Sequence, residues 1–517
     1  MRGSLWNKAW WVLLVGLGGG TTDALAQGVT ADGVLAAAAA SKLPEPQTLL
    51  GGAASIGMVG GDWYATLMLQ FSLDRDYWGF GVGVPLRIRL VDNDPKSGGS
   101  VVNLRKEDWD EPSDFLRLLR YVYVGDRSKT GPFYLRLGEL NGLTLGHGTI
   151  VHRYSNGFDV DRYRLGGDLA VNVGPVGGEL VIGDMARPTD TTLVGVRFHA
   201  RPLIFDALGG GSEAPPPAPA SGEGQSVDGA APAEAAPSSS SDSSGGLYDW
   251  RSRFVVGLSI ITDPTAPLAL KRDAANGIVL DEQSHVIVTK DRALVILGMD
   301  LGYELVRGAP ISITPYLDLN EITYADSGVG FHIGVLWNFS LPLLIDTLTI
   351  DLKTEYRRVS SEYLSPYFDA TYVIERYDSP QGSGSPKLAS MLAQKNAPGK
   401  NGYVFDLIAG FPKYVYIGGA FTDYDGVAHD GTLRLSLEIP ALSVLRLSAF
   451  YYRTGIEGVS DFFALDDRSA IVAEAKVPLG SFFTLNLRWW RLWHAVAGGG
   501  YESTDDWSVG AGVNIPL

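Results

Sequence analysis

From Gly146 to Phe158 the chain reads GHGTIVHRYSNGF, and it sets His147, His152 and Ser155 close together in a sequence with seven histidines. An imidazole that takes the proton of a serine hydroxyl turns that oxygen into a nucleophile, and a third group orients the ring. On an extended chain the two partners must be two residues apart, because alternate side chains share a face. His152 and Ser155 are three apart. A regular strand points them to opposite faces, and only a bulge restores the register. The simpler reading is a polar connection in which Asn156-Gly157 makes a turn. The run from Asn141 to Phe158 is long for a turn. Folded inward, it would set His147, His152 and Ser155 as a constriction in whatever space the flanking strands enclose.

Those flanking elements have a clear period. In ISITPYLDLN, Ile311, Ile313, Pro315, Leu317 and Leu319 alternate with Ser312, Thr314, Tyr316, Asp318 and Asn320. One face of such a strand is apolar and the other polar. TLRLSLEI, VLRLSAFYY, TLNLRWW, DRYRLGGDLAVNV and AVILGMDLGYEL alternate in the same way. Many of these stretches have the length a tilted strand needs to cross a bilayer, about 9–11 residues. Aromatic residues gather near their ends: Trp63 and Tyr64, Tyr77 and Trp78, Tyr451 and Tyr452, Trp489, Trp490 and Trp493. Such clusters are expected to form interfacial girdles. The fold class expected is all-β, a transmembrane antiparallel up-and-down barrel of 16–18 strands spanning 62–517. A soluble β-sandwich alternates too, but has no need of that length or those girdles.

The first residues carry Arg2 and Lys8, the apolar run AWWVLLVGLG and then Ala24-Leu25-Ala26. This is the order of a cleaved secretory signal peptide over 1–26. Residues 27–61, with VLAAAAASKL, are read as an N-terminal periplasmic or plug segment. The stretch 209–246 is dominated by Pro, Gly, Ala and Ser and has almost nothing to bury, so it is expected to be a disordered loop inserted between strands. The formal charge of −16 argues against a nucleic-acid partner. With no cysteine, the chain has no disulfide, thiolate metal site or lipidated cysteine.

The closing WSVGAGVNIPL puts Trp507, Val509, Ala511, Val513, Ile515 and Leu517 on one face. It resembles the terminal strand of Gram-negative outer-membrane proteins, which implies recognition by the barrel-assembly machinery, though here the last residue is Leu517 rather than an aromatic. GPFYLRLGELNGLTLGHGTIVHRYSNG is similar to uncharacterised outer-membrane barrel (porin-like) proteins of that group, and this implies a location in the outer membrane. Ser155-Asn156-Gly157 also resembles the His-x-Ser-Asn-Gly of outer-membrane phospholipase A. That likeness would imply lipid hydrolysis by His152 and Ser155, and the spacing departs from it.

Acidic turns at Asp92 and Asp94, and at Asp423, Asp425 and Asp430, offer hard oxygen ligands but lack the full calcium-loop pattern. Zinc spacing and phosphate-cradling loops are absent, so no metal or cofactor is expected. Charges facing lipid cost Arg or Lys about 2–4 kcal/mol at the midplane, so those on polar faces must point inward. They are Arg136, Arg162, Arg164, Asp168, Asp300, Asp318, Arg434, Arg446 and Arg488. The function expected is a channel passing small hydrophilic solutes by diffusion through a charge-lined lumen, with outer-membrane lipids around it. The alternatives are a closed scaffold barrel, a transporter of hydrophobic compounds and, last, the lipid hydrolase.

Overall fold

A computed structural model describes residues 48–516, apart from 60–61, 94–102, 106–107, 110–111, 127–128, 130, 158–163, 205–248, 282–284, 324–327, 379–384, 412–413, 426–429, 440–444, 467 and 496–500. The strands are β1 (Thr48–Val59), β2 (Asp62–Asp74), β3 (Trp78–Val91), β4 (Asn103–Leu104), β5 (Leu119–Gly125), β6 (Phe133–Gly138) and β7 (Gly166–Val173). Then come β8 (Val176–Ile182), β9 (Val194–Ala200), β10 (Phe254–Leu270), β11 (Val288–Tyr303), β12 (Ile311–Ile322), β13 (Val329–Pro342) and β14 (Thr347–Val359). The last are β15 (Lys400–Phe411), β16 (Val415–Tyr424), β17 (Gly431–Ile439), β18 (Arg446–Ile456), β19 (Ser469–Leu479), β20 (Phe483–Ala495) and β21 (Tyr501–Pro516). The short helices are α1 (Asp249–Ser252), α2 (Tyr372–Glu375) and α3 (Lys387–Leu392).

Each strand pairs antiparallel with the next, and β3 passes over the two-residue β4 to pair with β5. β21 returns to β1 from Leu49↔Pro516 to Gly57↔Ser508, which closes the sheet as a twenty-strand barrel. Closure leaves no unpaired edge, the condition for a sheet to sit in hydrocarbon. The expected class holds, and the count is twenty instead of sixteen to eighteen. Two causes explain the difference. β5, β8 and β9 have only seven residues each, under the length expected of a spanning strand. β1, LLGGAASIGM, is rich in Gly and Ala and so shows little contrast between its faces. Residues 48–59, expected in the N-terminal segment, therefore belong to the barrel. The expected signal peptide and most of that segment, and the whole 209–246 stretch, lie outside the described residues.

The period-2 pattern maps onto the wall as expected. On β12, Leu319 is exposed to the outside while Tyr316, Asp318, Asn320 and Ile322 are buried within. The outer wall carries apolar side chains all round: Leu50, Leu69, Leu258, Ile333, Phe405 and Leu487 are among those exposed. An apolar outside around a polar interior is the build of an outer-membrane barrel, and the chain is one. The aromatic pairs divide. Trp63 and Trp507 meet edge-on at 5.1 Å on neighbouring outward positions, and Trp489 is also outward. Tyr64 and Tyr452 are buried, and Tyr452 hydrogen-bonds inside the barrel. Adjacent residues on a strand point to opposite faces, so only one of a pair within a strand can stand in a girdle; Tyr77, in the turn before β3, and Trp78 are both exposed. The Trp493 side chain lies outside the described residues.

Leu49 and Pro516 pair at one rim, the terminal rim. Because the strands alternate in direction, the connections 139–165 and 360–399 both leave from the opposite, distal rim. The described parts of both turn into the barrel. Their Leu143, Val151, Tyr154, Phe368, Tyr372 and Leu388 join the wall residues Val181, Ile261, Ile296, Phe450 and Val472 in one hydrophobic core inside the bore. Toward the terminal rim this packing eases. Along β14, Val359, Arg357, Glu355 and Lys353 are buried, whereas Asp351 is exposed.

Candidate functional site

The inward segment from Glu139 to Gly157 is held at its base by Asn156. Its Oδ1 accepts the Leu140 N–H at 2.9 Å, and its Nδ2 donates to the carbonyls of Gly183 and Arg164 at 2.9 and 3.2 Å. Asn156 is therefore a buried staple and not the exposed turn expected for Asn156-Gly157. Leu143 and Tyr154 exchange backbone hydrogen bonds, so the segment runs in and back as a narrow hairpin. Gly146 and Gly148 reverse it at φ +56° and +76°. That left-handed conformation suits glycine, and a Cβ on Gly148 would lie 2.6 Å from His152 Nδ1.

The hairpin tip reaches the wall at three strands. His147 Nδ1 lies 2.7 Å from Asp318 Oδ1 on β12, and the Thr149 hydroxyl donates to Asp318 Oδ2 at 2.8 Å. The His147 ring stacks on Tyr316 at 4.3 Å. Lys353 Nζ on β14 donates to the His147 carbonyl at 2.7 Å. His152 Nε2 lies 2.8 Å from Asp406 Oδ2 on β15, Arg153 donates to Oδ1 at 3.1 Å, and Arg434 on β17 donates to Oδ2 at 2.9 Å. Burial pulls the His152 imidazole down to about 3, helped by the Lys353 and Arg153 cations, against the opposing pull of Asp406. His152 is thus neutral at pH 7.

The second inward segment, 360–399, carries α2 and α3 and is bonded to the first. The His152 N–H donates to the Phe368 carbonyl, the Phe368 N–H to the Ile150 carbonyl, and Ser365 Oγ to the Thr149 carbonyl at 2.7 Å. Arg376 fastens it to β10: its Nε donates to Asp263 Oδ2 at 2.7 Å, and Tyr372 Oη donates to the same oxygen at 2.6 Å. Lys387 bridges to Glu375 at 2.8 Å, and Tyr452 Oη donates to Glu375. Arg357 and Tyr424 both donate to the Ser365 carbonyl.

The expected lumen charges are placed as follows. Arg136 and Asp168 are register partners on β6 and β7, and Asp168 is bound by Lys129 at 2.8 Å. Asp300 accepts two hydrogen bonds from Arg197, at 2.7 and 3.1 Å. Asp318 holds the inward hairpin, and Arg434 binds the Asp406 carboxylate that also holds it. Arg488 pairs with Glu474 at 2.8 Å, and Arg446 faces the register position of Lys476. Arg164 precedes β7, buried near the base of the hairpin, instead of lining a strand. The strand starts at Gly166, after the inward segment 139–157. Arg162 lies outside the described residues. His147 and His152 are inside the bore, on the inward hairpin. Ser155 is buried, and among the described residues its Oγ meets the Gly157 N–H alone, at 3.5 Å. The His152 ring is turned to Asp406, so the proton relay that the phospholipase likeness requires is not assembled here. Among the described residues no group of three or more His, Asp or Glu could hold a metal ion.

Residue-type reasoning did not single out Lys353, Asp406 or the 360–399 segment. A signal for the last was present: SSEYLSPYFDATYVIERY is far richer in aromatic and aliphatic residues than an exposed loop needs.

No family model matches the chain, and no curated protein does. Among solved structures it is similar to Wzi, described as an outer-membrane protein involved in group 1 capsule assembly in Escherichia coli and a carbohydrate-binding β-barrel, at 11% identity over 92% of this chain and 85% of that one, TM-score 0.31. It is similar to the ferric-catecholate import receptor Fiu of E. coli K12 at 10% identity over 92% and 82%, TM-score 0.38. It is also similar to the outer-membrane protein opdK of Pseudomonas aeruginosa at 9% identity over 92% and 100%, TM-score 0.28.

Proposed function

We propose that the protein is an outer-membrane channel for small hydrophilic solutes, narrowed from its distal side by the segments 139–157 and 360–399. The observation that carries this reading is the anchoring of the first segment across the bore, with His147 on Asp318 and His152 and Arg153 on Asp406. A twenty-strand barrel is wide enough for an aqueous bore, and the inward segments limit what passes. Toward the terminal rim the bore is wetter and charged, with Asp351, Arg446, Lys476 and Arg488 along its wall. Solute choice then rests on size at the inward segments and on the field of those charges. Most of the inward charges have partners, Arg488 and Lys476 sharing the one carboxylate of Glu474, so a large part of their role is to fix the shape of the passage.

A closed barrel acting as a scaffold is the second reading, and the hydrophobic core that joins β8, β10 and β11 to β18 and β19 through the inward segments favours it. Swelling of vesicles that contain the refolded chain separates the two. The channel reading expects swelling in small sugars and amino acids that falls off steeply with solute size. Absence of swelling with every solute, from a heat-modifiable folded barrel, would leave the scaffold.

A further inference from the structure

We propose that the wall formed by β5 to β9 is covered by a second copy of this chain. Those five adjacent strands have six to eight residues each. The other spanning strands have nine to seventeen. At about 3.3 Å per residue and a tilt near 40°, the short strands rise only ~15–20 Å, under the roughly 25 Å apolar band of an outer-membrane barrel. Their outward side chains are apolar throughout, and Val173, Phe198, Val124, Phe133, Val176 and Val171 are 68, 64, 46, 40, 40 and 38% exposed.

A second observation is independent of height. The outward positions of β5 to β9 hold neither Trp nor Tyr. The tyrosines of this sector face in: Tyr121 donates to Asp74, and Tyr123 to the Arg75 carbonyl. On the longer strands Trp78, Tyr403, Trp489 and Trp507 stand exposed. Residues of that kind mark where a wall meets the lipid headgroups, and this wall lacks them.

A short apolar wall is relieved by thinning the bilayer or by association. Five strands about 4.8 Å apart and ~17 Å tall present on the order of 500 Å² of flat face per partner. Side-chain relief, with Phe115, Leu116 and Met185 exposed along the distal edge, brings this toward the roughly 800 Å² per partner of a stable interface. No charge stands on the face to oppose a matching copy. A two-fold interface is self-complementary and sets the central strand, β7, next to the axis.

The chain has no cysteine, so single cysteines report cleanly. The full-length protein carrying Val171→Cys is reconstituted into phospholipid vesicles and oxidised, beside Ile333→Cys, an equally apolar outward position on β13 that is 49% exposed. At least tenfold more disulfide-linked dimer is expected at position 171, with sedimentation of the unlinked parent protein at twice the monomer mass. Equal linkage at both positions, or a monomer mass together with equal quenching by spin-labelled lipid of a probe attached in either variant, would overturn the proposal and assign the wall to thinned lipid.

Discussion

Asp406 is the residue on which closure by the inward hairpin depends most. Its carboxylate, 4% exposed, binds His152 and Arg153 of the hairpin and Arg434 of the wall at 2.8, 3.1 and 2.9 Å. Asp406→Asn keeps the shape and removes the charge. Removing one partner of a buried ion pair costs about 3–5 kcal/mol. The lower end applies here, because the Arg153 and Arg434 side chains keep 12 and 13% exposure and so some contact with water. The wall's own bonds to Arg434 are local, so most of the loss falls on the hairpin. At about 1.4 kcal/mol per tenfold, ~3 kcal/mol shifts the balance between seated and released hairpin by about a hundredfold. Single-channel recording of the refolded variant in a planar bilayer is the assay, with the barrel first shown intact by heat-modifiable migration. Openings to a larger conductance level are expected to be about a hundred times more frequent than in the unaltered protein. Opening statistics within threefold of the parent would refute the assignment of Asp406 as the anchor.

Three further outcomes are expected. Because burial depresses His152 to about 3, the seated hairpin is favoured above the ordinary histidine range near 6.5 and loses that advantage as pH falls toward 3. Conductance should therefore rise on acidification from pH 7 to 4, and that rise should shrink in His152→Gln. Arg376→Ala takes the guanidinium from Asp263, leaving the buried carboxylate only neutral donors such as Tyr372 Oη, and takes a donor from the Thr265 carbonyl. A loss of about 3–5 kcal/mol should make the 360–399 segment sensitive to limited proteolysis while the barrel stays intact. At Gly81 a Cβ would lie 2.6 Å from the Tyr121 ring, so Gly81→Val should cost about 1–3 kcal/mol through overpacking, read as a lower unfolding temperature.

The class of the fold was legible wherever a strand contrasted its two faces. ISITPYLDLN alternates apolar and polar residues, and β12 buries Tyr316, Asp318 and Asn320 inward as that alternation requires. β1 was not legible, since Gly and Ala fit either face, and β5, β8 and β9 were too short to pass as spanning strands, whereas DRYRLGGDLAVNV marked β7 by its alternation. The stretch from Asn141 to Phe158 announced itself by its length, and the inward turn of its described part, which ends at Gly157, places His147 and His152 in the bore. Their partners could not be read off. Asp318 and Asp406 stand far along the chain, and a neighbour supplied by closure of the sheet has no local signature. The inward-facing charges were predictable from the cost of exposing them to lipid. That most would be paired was not, because pairing depends on which strands adjoin and on a second inward segment.

The central claim is that segment 139–157 narrows an otherwise open bore. It is tested most directly by planar-bilayer conductance of the full protein beside a variant in which residues 142–154 are replaced by a short glycine-serine link that leaves the Asn156 staple in place. The account predicts small steps from the full protein and steps several times larger from the variant. Equal steps from two folded barrels, or silence from both, would contradict it.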